Sequence, residues 1–552
     1  MQAIRTDTTN KQTRLHWVIG LFSLLPLAYV TLQAVRAPKL NLLLDYWDVL
    51  AKITTDDGSL QPRMLFTYNL EQPFAVPSLL FWADARFFGG DNRVLTVLTV
   101  LLMAGIVVLL SRMLPTSLSP VKRAALTVGF AFIMLSTHGI ELWVQGTNGI
   151  SWTPALFFVV LTVFLMHRGR FWPAFAAAVF GCLCFGVGFP AWLGLVLVAW
   201  LRREPRWKVL VSAVAGIAVL AIWLTTRPSA PQALATSSFD VQHRLAAISA
   251  SLGAMWASSE SHVATLFAVG VGLLLAILLA VFAVAAVRGR FTPATPEQSD
   301  EAGWIGLATC TLALALLIGL GRTTPGINVG MISRYSVIGG LALCSALTLV
   351  ALRRPRLRAR YVLAGVVAVS LVTYATGYPK VATVKTGYYG YGAIEVALRV
   401  DAPGALTALQ VNPEVVPAAR ALGMYPLTGS FSLDCHGYEL GSQINFGGIK
   451  PLPGPHAPGV TKGVLDTPPV RGDALLSGWA VVADTHPDCV LVLDESGKVV
   501  GSGITGVSRP DAVRLTGGDA NAGWRAVAAP NSTASRIVLV AGGTLYGVDA
   551  TP

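Results

Sequence analysis

Long apolar runs separated by short polar loops dominate the first two-thirds of the chain. A helix of roughly 17–25 apolar residues is enough to cross a ~30 Å hydrocarbon core. About eleven such runs are legible, at 15–35, 94–111, 124–144, 150–165, 171–187, 188–201, 209–224, 263–287, 303–320, 335–352 and 361–378. The fifth and sixth are short and meet at Gly186-Val187-Gly188-Phe189-Pro190, a pattern that predicts a helical hairpin. The first follows Arg5, Lys11 and Arg14; its apolar core of about 20 residues exceeds that of a signal peptide, so it reads as a retained span. The pattern changes at Pro379. Short helical stretches are expected over 393–400 and 405–422, broken near Pro413, and a Pro/Gly-rich linker over 451–458. Alternating apolar runs bounded by turn residues then predict strands at 475–482, 489–493, 499–503, 524–528, 537–540 and 545–548. The expectation is a mainly α polytopic membrane protein of about eleven transmembrane helices. Its membrane domain covers 1–378, with a first outer loop at 36–93; a helical and linker region covers 379–458, and a small β-sandwich 459–552.

Composition narrows the class. Of 552 residues, 53% are hydrophobic and only 13% charged, about half the charged share of an ordinary soluble domain. That excludes a disordered or water-soluble chain. The formal charge of +12 raises the question of a polyanion partner, and the placement of Lys and Arg answers it. They cluster around Arg112 and Lys122, Arg168 and Arg170, Arg202 to Lys208, Arg288 and Arg290, and Arg353 to Arg360, in every second loop. By the positive-inside rule these loops and the N-terminus are cytoplasmic and the C-terminal region is extracytoplasmic. The excess charge orients the chain, and no nucleic-acid partner is expected. No internal repeat is legible and most spans lack charge along their middles, unlike carriers built on matched halves. Six cysteines without a Cys-x-x-Cys pair exclude a disulfide framework or zinc module. Cys182, Cys184, Cys310 and Cys344 fall in spans. Cys435 and Cys489 alone lie in the oxidising outer space and are expected to pair.

The outer segments hold the candidate chemistry. In Asp45-Tyr46-Trp47-Asp48, two carboxylates at i,i+3 share one helix face. They suit a general base beside an aromatic sugar platform, Trp47; equally, an interfacial helix anchored by its aromatics has this composition. His138, Glu141, Gln145 and Asn148 line the second outer turn, as sugar-binding groups or as a polar loop facing water. Arg322 and Arg334 stand in one short outer loop against the charge bias, with Tyr335 beside them. Arginine's donor fork suits phosphate, and snorkelling from a span end is the alternative. Gly387-Tyr388-Tyr389-Gly390-Tyr391-Gly392 has no preceding strand and no P-loop lysine and reads as a loop.

The Trp47-Asp48 pair is followed by Asn69-Leu70-Glu71-Gln72-Pro73 and then by Leu79-Leu80-Phe81-Trp82-Ala83-Asp84-Ala85-Arg86-Phe87-Phe88-Gly89-Gly90-Asp91-Asn92. This order, with Gly321-Arg322 and Ser333-Arg334-Tyr335 late in the membrane part, resembles bacterial polytopic glycosyltransferases of the GT-C class. The resemblance covers the membrane part loosely. It implies a sugar donor linked to polyprenyl phosphate, a glycan or glycolipid acceptor, and a multi-pass protein of the bacterial inner membrane. It further implies Asp48 as catalytic base with Asp45 and Glu71 supporting, Arg322, Arg334 and Tyr335 at the donor phosphate, and Trp47, Asn69, Gln72, His138, Glu141, Gln145 and Asn148 around sugar or acceptor. No His-rich metal box is legible; a magnesium or manganese ion would rest on Asp48 and the donor phosphate. The group's Asn-Glu-His-Arg is replaced by Asn69-Leu70-Glu71-Gln72, so its His and Arg are missing. A transporter of lipid-linked glycans and a non-catalytic scaffold of glycan assembly are the rival readings. The Ser477-Gly478-Trp479-Ala480 and Gly506–Asp511 segments resemble an accessory module appended to such transferases.

Overall fold

In hydrocarbon the backbone has no partner but itself, so long apolar runs become helices. The computed structural model describes residues 18–228, 240–293, 296–321, 328–429, 431–466, 474–530, 532 and 536–548. Among these, nine helices are long and apolar enough to cross a membrane: Val18–Val35, Asn92–Met113, Pro120–Val144, Gly146–His167, Arg206–Thr226, His262–Gly289, Gln298–Gly321, Ser333–Arg353 and Ala359–Arg399. The remaining two expected spans form shorter helices, Phe171–Cys184 and Pro190–Leu201, hinged at a 3-10 turn over Gly186–Gly188. At 14 and 12 residues neither crosses a bilayer core alone, and their junction at Gly186–Gly188 falls where the sequence predicts a helical hairpin to turn. The glycine-tyrosine run expected as a loop instead continues the helix Ala359–Tyr389 into a 3-10 turn, Gly390–Ala393.

The described chain divides into two compact units. The first comprises Met1–Ala37, Leu65–Leu79 and Arg93–Ala382. In it Gly146–His167 packs against both short helices, and Pro190–Leu201 packs against the helix ending at Gly321. Helices Val241–Gly253 and His262–Gly289 touch backbone to backbone: a Cβ on Gly272 would stand 1.7 Å from the Ser249 carbonyl oxygen. Arg206–Thr226 is the opposite case, with Val214 and Ile217 at 65% and 69% exposure. A helix apolar all round that is left uncovered suits a lipid solvent.

The second unit comprises Pro38–Met64, Leu80–Asn92 and Thr383–Pro552. Short helices Asp45–Ile53, Ile394–Arg399, Pro403–Ala408 and Val416–Ala421 precede eight strands. These are β1 (Ile449–Pro451), β2 (Lys462–Leu465), β3 (Leu476–Val481), β4 (Cys489–Leu493), β5 (Val499–Val507), β6 (Gly523–Ala528), β7 (Arg536–Ala541) and β8 (Thr544–Val548). The six expected strands are all present. β1 and β2, which flank the Pro/Gly-rich stretch, are additional. The strand order is β1-β8-β7-β4-β5-β6-β3-β2, with β1 parallel to β8 and every other pair antiparallel.

Where two stacked sheets are expected, the structure has one continuous sheet. It curls so that Leu465 of β2 and Val548 of β8 share a core with Val490, Trp524 and Leu539. Alternate residues of β4 serve the other face, where Leu491 and Leu493 join Ile444, Val538 and Val540.

Cys435 and Cys489 are bonded, with their Cα atoms 5.8 Å apart and a sequence separation of 54. The bond ties the segment carrying Leu433, Tyr438 and Ile444 onto β4. Closing a loop of that length removes about 4 kcal/mol of chain entropy from the unfolded state. Replacing both cysteines with serine therefore lowers the unfolding midpoint of this unit, and reducing agent does the same to the wild type but not to the variant. A non-reduced peptide map checks the pairing.

Candidate functional site

Helix Asp45–Ile53 turns Tyr46, Val49, Leu50 and Ile53 into the core of the second unit. That i, i+3, i+4, i+7 spacing is one helical stripe, and it leaves Asp45 half-buried and Asp48 exposed. Before the helix, Leu44 adopts φ +45°, a conformation costly for a branched side chain. Its amide donates to the Gln410 carbonyl at 3.1 Å, which holds the strained entry in place.

One side of the Asp48 carboxyl is desolvated by protein and Asp45 lies beside it, and both hold it above the ordinary carboxylate range. The Asn412 side chain opposes them with a hydrogen bond. Because Asn412 Oδ1 accepts from the Glu414 amide at 3.1 Å, the amide nitrogen is the end that serves Asp48. Trp47 does not form the expected sugar platform. It is fully buried, its indole donates to the Leu42 carbonyl at 2.6 Å, and its ring meets Tyr46 edge-on.

Asp84 is a functional candidate that the sequence quotes but does not single out. It sits on helix Ala75–Phe88 at 1% exposure, with Oδ2 accepting from the Tyr46 hydroxyl at 2.8 Å. Its other oxygen, Oδ1, is buried without a hydrogen bond of ordinary geometry among the described residues, and the Asp91 backbone amide, close by, favours the ionised carboxyl. Burial, assisted by the charge of Asp91 and opposed by the Tyr46 hydrogen bond, pushes Asp84 up to about 7. Burial and Asp84 together push the Tyr46 phenol well up, so it stays a donor.

The folded chain thus keeps a proton on Asp84 that the unfolded chain releases near 3.8. Stability from this group is full below that value and is lost as pH rises towards 7. The melting temperature of Asp84→Asn is therefore flatter than the wild type's between pH 4 and 8, a difference that calorimetry checks.

The first unit gathers the other candidates. Glu141 Oε1 accepts from Arg334 Nη1 at 2.5 Å and from Asn148 Nδ2 at 2.5 Å, and Oε2 accepts from the Arg334 backbone amide at 3.2 Å. Ser333 Oγ accepts from the Glu141 amide and donates to the His138 carbonyl, at 3.2 and 2.6 Å. The Arg334 guanidinium lies over the Tyr335 ring at 5.1 Å, and an aromatic series continues from Tyr335 to Trp152 to Phe185 to Phe74.

Asn69 and Gln72 exchange backbone hydrogen bonds of 2.9 Å across a tight turn. Gln72 Nε2 donates to Glu71 Oε1 at 2.9 Å, and Gln72 Oε1 accepts from the Gly186 amide at 3.1 Å. The loop is thereby latched to the hairpin hinge. The Glu71 carbonyl also accepts from the Trp223 indole at 2.8 Å.

Three residues expected around donor or acceptor are buried. His138 is fully buried and shares a 3.0 Å hydrogen bond with Thr376; Gln145 is buried and caps helix Gly146–His167 by accepting from Asn148; Tyr335 is fully buried. Each lies at a helix junction, where an aromatic or amide side chain is covered by the neighbouring helix. Arg322 lies outside the described residues. Asp45, Asp48 and Asp84 belong to the second unit, and Glu71, Gln72, Glu141, Asn148 and Arg334 to the first.

Asn412 and Asp84 are the additions to the site. Only Asp84 carried a signal, sharing with the apolar Phe81 and Ala85 one buried face of its helix. No protein-family model, no curated protein and no solved structure matches this chain.

Proposed function

We propose that the chain is a membrane glycosyltransferase of GT-C type, moving a sugar from a polyprenyl-phosphate donor to an extracytoplasmic cell-surface glycan or glycolipid. The observation that carries this reading is the carboxylate pair on helix Asp45–Ile53, with Asp48 exposed and held above the ordinary carboxylate range. A polyprenyl phosphate already leaves readily, so the protein must supply a base for the acceptor hydroxyl and cations for the departing charge.

Asp48 takes the acceptor proton in this reading. Asp45 supports it by raising its basicity, and the resemblance gives Glu71 a supporting part. Arg334, fixed by Glu141 and Asn148, and Arg322 receive the phosphate. A bound magnesium or manganese ion would add a further positive charge at that phosphate. Asp45 and Asp48 offer the one or two carboxylates such ions take from protein when substrate phosphates supply the rest. The loops carrying Asp48, Glu141 and Arg334 face the outside of a bacterial inner membrane in this reading, with the basic loops inside.

A scaffold role is the second reading, favoured by Gln72. It stands where the related pattern has His or Arg, and its amide is spent on Glu71 and Gly186.

Reconstitution in liposomes with a labelled polyprenyl-phosphate sugar and a glycan acceptor tests the proposal. A new glycosidic bond supports transfer. Lipid flux without bond formation indicates a transporter, and glycan binding with neither indicates the scaffold.

A further inference from the structure

A helix of nine residues buries an apolar stripe, but such burial is non-directional and leaves its rotation loosely set. A buried hydrogen bond from the helix's apolar stripe adds direction. Tyr46, between the two carboxylates in sequence, is fully buried and donates to Asp84 at 2.8 Å. Asp84 is delivered by helix Ala75–Phe88 and its closing turn, where the Gly90 amide donates to the Asp84 carbonyl at 3.2 Å. Gly90 has φ +72°, and a Cβ there would meet the Met424 methyl at 2.4 Å and the Tyr46 hydroxyl at 3.4 Å. The turn therefore closes directly onto the Tyr46–Asp84 contact.

We propose that Asp84, acting through Tyr46, is a positioning residue that sets how Asp45 and Asp48 are presented. The proposal rests on the reading of Asp48 as a base. An ionisable carboxyl at 1% exposure is a costly way to hold a tyrosine by packing alone. A carboxylate accepting a phenol hydrogen gives a shorter, stronger and more directional tie. The titratable groups that face Asp84 are Tyr46 from the carboxylate helix and Asp91 from the turn; Met424 brings a thioether and no charge. Protonation removes the charge from the tie but also the larger cost of a buried ion, so the helix is held more firmly as pH falls through the range near 7 where burial holds Asp84.

The test uses the full chain in lipid nanodiscs with Tyr46→Phe, Asp84→Asn, the double variant and Asp48→Asn. Each positioning single lowers kcat on the order of 10²-fold and leaves the donor KM unchanged. The double variant falls no further, because both singles remove one contact. Hydrogen exchange at the amides of Tyr46, Trp47 and Asp48, corrected for intrinsic chemistry, quickens in wild type as pH rises through 7, because ionised Asp84 favours release of the helix that buries it, and is flat in Asp84→Asn. If Tyr46→Phe and Asp84→Asn transfer at the wild-type rate while Asp48→Asn does not, positioning is overturned and the base stands. If Asp48→Asn transfers normally, the base reading falls and exchange alone decides. A pH step lost in Asp84→Asn then supports the hold of Asp84 on the helix, and identical exchange in both proteins overturns it.

Discussion

Asp48→Asn lowers glycosyl transfer by roughly 10²–10⁴-fold, the usual contribution of a positioned general base, and leaves the donor KM unchanged. Asparagine keeps the shape and the Asn412 contact but has no basic oxygen for the acceptor proton. The same residue gives a pH signature with a defined sign. Asp48 acts as carboxylate and is held above the ordinary range, so the rate rises with pH through that raised value. Asp45→Asn removes the adjacent charge and moves the rising limb to lower pH. Asn412→Ala removes the hydrogen bond that favours the carboxylate and moves the limb to higher pH. Single-turnover transfer of a labelled sugar across pH 4–8 reads all three. A wild-type rate in Asp48→Asn removes it from the mechanism, and limbs that stay in place remove Asp45 and Asn412 from its control.

The elements were legible because hydrocarbon and sheet burial write simple periods into sequence. The runs ending at Met113 and Gly289 are helices since nothing else satisfies their backbones in lipid. β4 and β7 alternate between two cores, so each reads as a strand. β1 and β2 were hidden because three or four residues beside a Pro/Gly stretch carry too short a pattern, and their partners, β8 and β3, are remote in sequence or follow a long connection. The continuous sheet was hidden for the same reason, since stacking and curling of identical strands differ only in pairing.

The site follows that division. Asp45 and Asp48 stood out by local spacing, whereas Trp47 misled because sequence does not say which aromatic of a Tyr-Trp pair turns inward; here both do. Asp84 reaches Tyr46 across 38 positions, and Asn412 reaches Asp48 from a region that sequence assigns only a broken helix. Neither contact has a local signature. Glu141 and Arg334 were each marked, but for separate roles on sugar and phosphate; their mutual contact spans 193 positions.

That contact carries the second large effect. Glu141→Gln destabilises the membrane unit by about 3 kcal/mol or more, the scale for leaving one member of a buried ion pair uncompensated. The side chains are 6% and 19% exposed, so the loss exceeds the fraction of a kcal/mol typical of surface pairs. Glutamine retains an oxygen for Asn148, which confines the loss mainly to the missing charge. Arg334→Leu costs a similar amount by stranding the carboxylate, and Glu141→Gln with Arg334→Leu recovers most of it, because the desolvation penalty of both charges disappears together. Melting temperatures of the four proteins in nanodiscs form the cycle, and additive losses would exclude the pairing. The same set separates structure from phosphate binding. In Glu141→Gln the guanidinium loses the Glu141 carboxylate charge, so an Arg334 that receives the donor phosphate gives a lower donor KM there and a higher one in Arg334→Leu. An arginine that only fastens the helix junction moves the melting temperature in both and the KM in neither.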